Sequence, residues 1–161
     1  MANIPLAYHV TFGTYGTRLH GDYRATVLRA MNRPGTPVFR EDPLRLKCER
    51  NLMQFAPVLF RQEQREFIEA SVPSICQRGG WEYRIAAAGP DHVHVLLSAN
   101  ADGGAVRKWL KRWRGEMLSE RWPLAVGRTW WADGGSVKSI WQEGYLRRAF
   151  KYIHRQRATP D

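Results

Sequence analysis

Residues 81–98 read WEYRIAAAGPDHVHVLLS, two strand-like runs over 81–88 and 92–98 joined by a tight Gly-Pro-Asp link. A link this short joins antiparallel neighbours, so the stretch commits the chain to a sheet. In the second run His92 and His94 stand one residue apart among valines and leucines. Side chains alternate along a strand, so both histidines point one way and Val93 and Val95 the other. Such a pair is either half of a metal site or two polar residues on a wet face, and the run by itself does not decide.

The flanking sequence supplies the other elements. LAYHVTFGTYG alternates as a strand over residues 6–15. Residues 16–43 are rich in Gly, Pro and Arg and read as mostly loop, and PLRLKCERNLMQFAPVLF holds a short helix. RQEQREFIEASVPSICQRGG repeats Phe67, Ile68, Val72, Ile75 and Cys76 at helical spacing, with Pro73 as a kink and Gly79–Gly80 as the stop. DGGAVRKWLKRWRGEMLSERWP is a helix whose apolar positions include Trp109, Trp113 and Trp122, a buried stripe ended by Pro123. TWWADGGSVKSIW has the pattern of a hairpin around Asp133–Gly134–Gly135, and QEGYLRRAFKYIHRQRA closes as a helix. The order β–α–β–β–α–β–β–α predicts one α+β domain, an antiparallel sheet with helices packed on one face.

Composition narrows the function. With 43% hydrophobic and 12% aromatic residues the chain has material for a core, which excludes global disorder. No apolar run approaches the roughly 20 residues of a membrane span. The start MANIPLAYHV lacks a signal-peptide pattern, and Cys48 and Cys76 make neither a disulfide framework nor a zinc pattern, so a cytoplasmic location is expected. The net charge of +10 is uneven: residues 105–157 carry thirteen Lys/Arg against four Asp/Glu, residues 1–104 twelve against ten. An excess this concentrated suits a polyanion, nucleic acid first, although a basic surface also serves solubility. Tryptophans interleave with it in RKWLKRWRGEMLSERW and RTWWADGGSVKSIWQ, a pattern that favours unpaired or hairpin strands because flat rings stack on bases. The expected contacts are Arg107, Lys108, Lys111, Arg112, Arg114, Trp131, Lys138, Arg147, Arg148, Lys151 and Arg155.

The last helix offers partners for the histidines. Tyr152 and Gln156 are four residues apart and share a helical face. A phenol is a covalent nucleophile when activated, and an amide oxygen suits a hard cation. The alternative is that Tyr152 packs with Phe150 and Ile153 while Gln156 is solvated.

Together these pieces resemble the HUH single-tyrosine transposases of bacterial insertion sequences and their REP-associated relatives. HUH denotes His, a hydrophobic residue and His, here His92-Val93-His94, and the family's late Tyr-x-x-x-Gln motif is matched by Tyr152 to Gln156. YHVTFGTYGTRLHGD is similar to the first strand and loop of one subgroup, and WADGGSVKSIW falls where the family has a Trp- and Gly-containing strand pair. The resemblance runs from about Tyr8 to Gln156, with residues 16–60 a longer variable segment. It implies a ferredoxin-like fold and metal-dependent nicking and joining of single-stranded, hairpin-bearing DNA through a 5′-phosphotyrosine. Tyr152 would be the nucleophile, and His92, His94 and Gln156 would hold Mg²⁺ or Mn²⁺. Insertion-sequence members work as homodimers whose tyrosine helix crosses to the partner, whereas REP-associated members act as monomers, and both arrangements stay open. The alternative function is an inactive or domesticated protein of the same fold that binds hairpin nucleic acid without cutting it.

Overall fold

The structure, a computed structural model, describes residues 3–19 and 40–159. Its elements are β1 (Ala7–Gly13), α1 (Pro43–Asn51), α2 (Gln62–Gly79), β2 (Glu82–Ala88), β3 (His92–Ser98), α3 (Gly103–Arg121), β4 (Ser136–Ile140) and α4 (Glu143–His154). The four strands form one antiparallel sheet in the order β2-β3-β1-β4. Most of the loop expected over 16–43 lies outside the described residues.

Local chemistry explains the boundaries. Gln64 Oε1 accepts the Arg61 N–H at the start of α2, and Gly80 ends that helix in the left-handed conformation at φ 70°. The helix runs on through Pro73. The Asp102 carboxylate caps α3 by accepting the Ala105 N–H at 2.9 Å.

Helices cover both faces of the sheet rather than one. On one face Val10, Phe12, Val93, Val95 and Leu97 pack with Ile68, Val72 and Ile75 of α2 and Val106, Leu110 and Leu118 of α3. On the other, Ala7, Ile85, Ala87, Leu96 and Ile140 pack with Leu146, Ala149 and Ile153 of α4. The strands are apolar on both sides, so both sides need a cover, and the amphipathic α4 takes the second. The α+β class and the antiparallel sheet stand; the one-sided placement of helices does not.

The hairpin expected around Asp133–Gly135 does not form. Only β4 is a strand of the sheet, and the preceding arm continues the end of β1 through a Thr14–Trp131 bridge and an Ala132 N–H to Gly13 carbonyl bond. Burial of Trp130 and Trp131 against Phe60 draws that arm away from β4. The turn between them needs Gly135, at φ 133°, where a Cβ would stand 2.6 Å from the Thr11 carbonyl oxygen.

Candidate active site

Pairing register decides which side chains share the α4 face. β1 lies between β3 and β4, with Thr11 opposite His94 and Ser136, and His9 opposite Leu96 and Lys138. Residues directly opposite share a face, so His9, Thr11, His92, His94, Ser136 and Lys138 all lie under α4. Val93 and Val95 point into the α2–α3 core.

Each histidine of the pair has one nitrogen held. His92 Nδ1 is 2.6 Å from Asp91 Oδ1. The carboxylate accepts, so Nδ1 carries a proton, and in the neutral tautomer this leaves the lone pair on Nε2. His94 Nδ1 stands 3.0 Å from His9 Nε2 and 3.0 Å from Thr11 Oγ1. The Gln156 amide closes the group, with Oε1 3.4 Å from His92 Nε2. The Tyr152 ring centre is 5.6 Å from that of His94 and 6.2 Å from that of His9. The Tyr152 side chain is itself exposed.

Space and charge are set by the same elements. Gly89 leaves room for His92, because a Cβ there would meet its Cε1 at 2.6 Å. Burial, then Lys138, pushes His9 down to about 4. Burial, then His92 and His9, pushes His94 down to about 3, with a Gln156 hydrogen bond acting the other way. Both rings are neutral at pH 7, the form that offers a lone pair. Beside them a cleft of about 390 Å³ opens between α4 and β4, lined by Lys138, Tyr145, Arg148 and Tyr152 among others. The Arg148 guanidinium lies 5.8 Å over the Tyr145 ring.

Of the expected site residues, His92, His94, Tyr152 and Gln156 meet within one chain. Gln156 sits just past the end of α4, its N–H bonded to the Ile153 carbonyl at 2.9 Å. Lys138 and Arg148 line the cleft, and Arg147, Lys151 and Arg155 are exposed on or just after the same helix.

The α3 residues belong elsewhere, since that helix covers the opposite face. Lys108 is exposed there and Arg112 pairs with Glu116 at 3.2 Å. Arg107 donates to the Gly135 carbonyl, and Lys111 Nζ to those of Ala132 and Gly134. Two expected contacts are corrected by burial. Arg114 is 1% exposed and donates to the Ile68 carbonyl and Ser71 Oγ between α2 and α3. Trp131 is buried against Phe12 and Phe60, its Nε1 donating to the Lys111 carbonyl. The tryptophan stripe of α3 is corrected at one position: Val106, Leu110 and Leu118 are buried and Trp113 and Trp122 pack partly buried against the core, but Trp109 is 41% exposed.

Sequence reasoning missed His9, Thr11 and Asp91. Asp91 adjoins His92 and was legible as a partner. His9 and Thr11 alternate on a strand as His92 and His94 do, but only register brings the two strands together.

An antiparallel sheet carrying a histidine pair, faced by a helix bearing an exposed tyrosine, defines an α+β domain built to present a phenol beside imidazoles. The family model described as "Transposase IS200 like" matches residues 56–156, and the chain belongs to that family of transposases, proteins that act on DNA. A solved structure of a candidate transposase from Deinococcus radiodurans R1 is similar at 16% identity with a TM-score of 0.49, over 99% of this chain and 97% of that one. Among proteins with curated descriptions, none matches this chain. No described helix is long and apolar enough to cross a membrane.

Proposed function

We propose that this transposase cuts and rejoins single-stranded DNA through a covalent bond to Tyr152, on hairpin-bearing substrates. The observation that carries the reading is the meeting of four side chains on one face: His92 Nε2 is 3.4 Å from Gln156 Oε1, and the Tyr152 ring is 5.6 Å from the His94 ring. The Tyr152 oxygen attacks the scissile phosphorus and the P–O3′ bond breaks. The strand leaves as a 3′-hydroxyl, the phenolic proton passes to solvent, and the 5′-phosphate stays on the tyrosine. The reverse attack by a 3′-hydroxyl rejoins strands without an external energy source, because the phosphotyrosine conserves the bond.

The donor set suits a divalent cation. Among the described residues no three His, Cys, Asp or Glu side chains cluster as a metal site, and the Gln156 amide oxygen, 3.4 Å from His92 Nε2, is the further protein donor beside the histidine pair. His92, His94 and Gln156 would hold Mg²⁺ or Mn²⁺, with the imidazole Nδ1 atoms fixed by Asp91, His9 and Thr11 as outer partners commonly fix metal-binding histidines. When bound, the cation neutralises charge on the non-bridging phosphate oxygens. Lys138 and Arg148 supply positive charge beside Tyr152, and the neighbouring strand phosphates follow the cleft they line. The four side chains share one face within one chain, which supports a site assembled in cis.

The test is adduct formation on a labelled hairpin oligonucleotide with a single-stranded flank, in Mn²⁺. The unmodified protein forms a denaturant-stable adduct, and Tyr152→Phe forms none while binding the DNA as before. An adduct with Tyr152→Phe would move the nucleophile to another residue, Tyr145 first. No adduct from the unmodified protein, with binding intact, would favour the non-cutting alternative.

A further inference from the structure

We infer that Glu69, on the far side of the sheet from Tyr152, is a positioning residue that holds Gln156 and His92 in register. The inference rests on the reading of Gln156 and His92 as partners in one site.

Glu69 stands on α2 and is 3% exposed. Its carboxylate accepts four hydrogen bonds, close to the capacity of the group. Oε1 takes the Ala88 N–H at 2.9 Å and the Ala158 N–H at 2.7 Å. Oε2 takes the Thr159 N–H at 3.0 Å and the Thr159 hydroxyl at 2.6 Å. Arg157 Nε lies 3.8 Å from Oε2, and the nearby Gln62 amide donates to the Ala158 carbonyl at 3.0 Å.

These contacts fall on the two segments that carry the site. Ala88 is the last residue of β2, and the next residue, Gly89, donates its N–H to the His92 carbonyl at 2.8 Å. Ala158 and Thr159 follow Gln156 by two and three residues. Gln156 lies beyond the last residue of α4, His154; turn bonds tie Gln156 and Arg157 to Ile153 and His154, and the N–H groups of Ala158 and Thr159 turn to Glu69 instead. That chain leaves the α4 side of the sheet and reaches Glu69 of α2, which also holds the end of the edge strand β2. One carboxylate therefore ties the turn before His92 to the tail after Gln156, whose side chains approach to 3.4 Å. Burying a carboxylate is costly, and here the cost is offset by four donors, three of them backbone N–H groups that an apolar side chain would leave unsatisfied. What the carboxylate adds is direction: four donors are aimed at one point.

The full-length protein tests this with Glu69→Gln and Glu69→Ala, each alone and combined with Gln156→Ala. Mn²⁺ affinity is measured by calorimetry, and the His92 ring and Gln156 side-chain amide are followed by NMR in metal-free protein. Glu69→Gln keeps the shape but loses one acceptor oxygen, so it serves if Glu69→Ala fails to fold. In the single variants Mn²⁺ binding weakens by about tenfold, the scale of outer-partner losses at metal sites. In the Gln156→Ala background the same change costs clearly less, because one of the two groups whose register Glu69 sets is already gone. An equal penalty in both backgrounds, or none in the first, overturns the inference. If the unmodified protein binds no Mn²⁺, the metal reading fails and the NMR signals decide alone. Shifted His92 and Gln156 signals in Glu69→Gln uphold the positioning role, and unmoved signals overturn it.

Discussion

Arg114 separates charge that faces DNA from charge that builds the core. Its sequence context, KRWRGE, matches that of a phosphate contact, yet its guanidinium is buried between α2 and α3. Burial pushes it down to about 9, so it is still a cation at neutral pH, and among the described residues no carboxylate pairs with it. Among the described residues Nε and Nη2 have no hydrogen-bond partner. Replacement by methionine keeps most of the volume and removes the desolvated charge. It leaves no orphan, because Ser71 Oγ still donates to the Ile68 carbonyl at 3.0 Å. Replacing buried ionic groups by well-packed apolar ones ranges from neutral to about 4 kcal/mol stabilising. At about 2–4 °C per kcal/mol for a chain of this size, Arg114→Met melts between the unmodified temperature and about 8–16 °C above it. Arg114→Ala opens a cavity and melts lower than the methionine variant, by a difference of about 2–5 kcal/mol.

The DNA assay reads the other half. Arg148, in the cleft, loses a phosphate contact when changed to alanine, so the slope of log affinity against log salt falls by about 0.7 on a single strand. Arg114→Met leaves that slope unchanged. Melting by calorimetry and affinity by anisotropy over a salt series check both. A slope reduced by Arg114→Met as much as by Arg148→Ala would refute the core assignment. Equal melting of the methionine and alanine variants would refute the packing argument.

Acid should loosen the site. His9 and His94 fall to about 4 and 3 in the fold, against 6.5 in an unfolded chain, so the unfolded state binds more protons as pH drops below 6.5. Their contribution is complete above pH 6.5 and is lost toward pH 4, at up to about 1.4 kcal/mol per pH unit for each histidine, less where the touching rings couple. Melting in metal-free buffer from pH 7.5 to 4.5 shows the decline, and His9→Gln flattens it; parallel curves for the two proteins would contradict the assignment. The thiols differ as well: Cys76 is buried and its thiol pushed up to about 11, while Cys48 is exposed. A thiol reagent titrates one fast group in the native protein and two after denaturation, and two fast groups in the native protein would show that Cys76 is not enclosed.

Much of the sheet and the site was legible because it is written in local periodicity. The 81–98 stretch reads directly as β2, turn and β3, and alternation alone sent Val93 and Val95 to one face and the histidines to the other. Spacing of four put Tyr152 and Gln156 on one side of the chain, although Gln156 lies past the helix end. The misreadings share one cause. Arg114, Trp131 and the exposed Trp109 carry residue types whose burial depends on what packs above them, and no local pattern states that. The hairpin at Gly134–Gly135 failed because tertiary burial of two tryptophans outweighed a local turn preference.

By itself the sequence determined the strand pair, the side-chain faces and the two motifs, since each is a matter of residues a few positions apart. Tertiary structure alone decided the rest. The β1 register set His9 and Thr11 against His94, the second apolar face of the sheet drew α4 over the histidines, and a carboxylate on α2 reached the tail beyond Gln156. These contacts join residues far apart in the chain, and their geometry comes from which faces must be covered, a choice the whole fold makes at once.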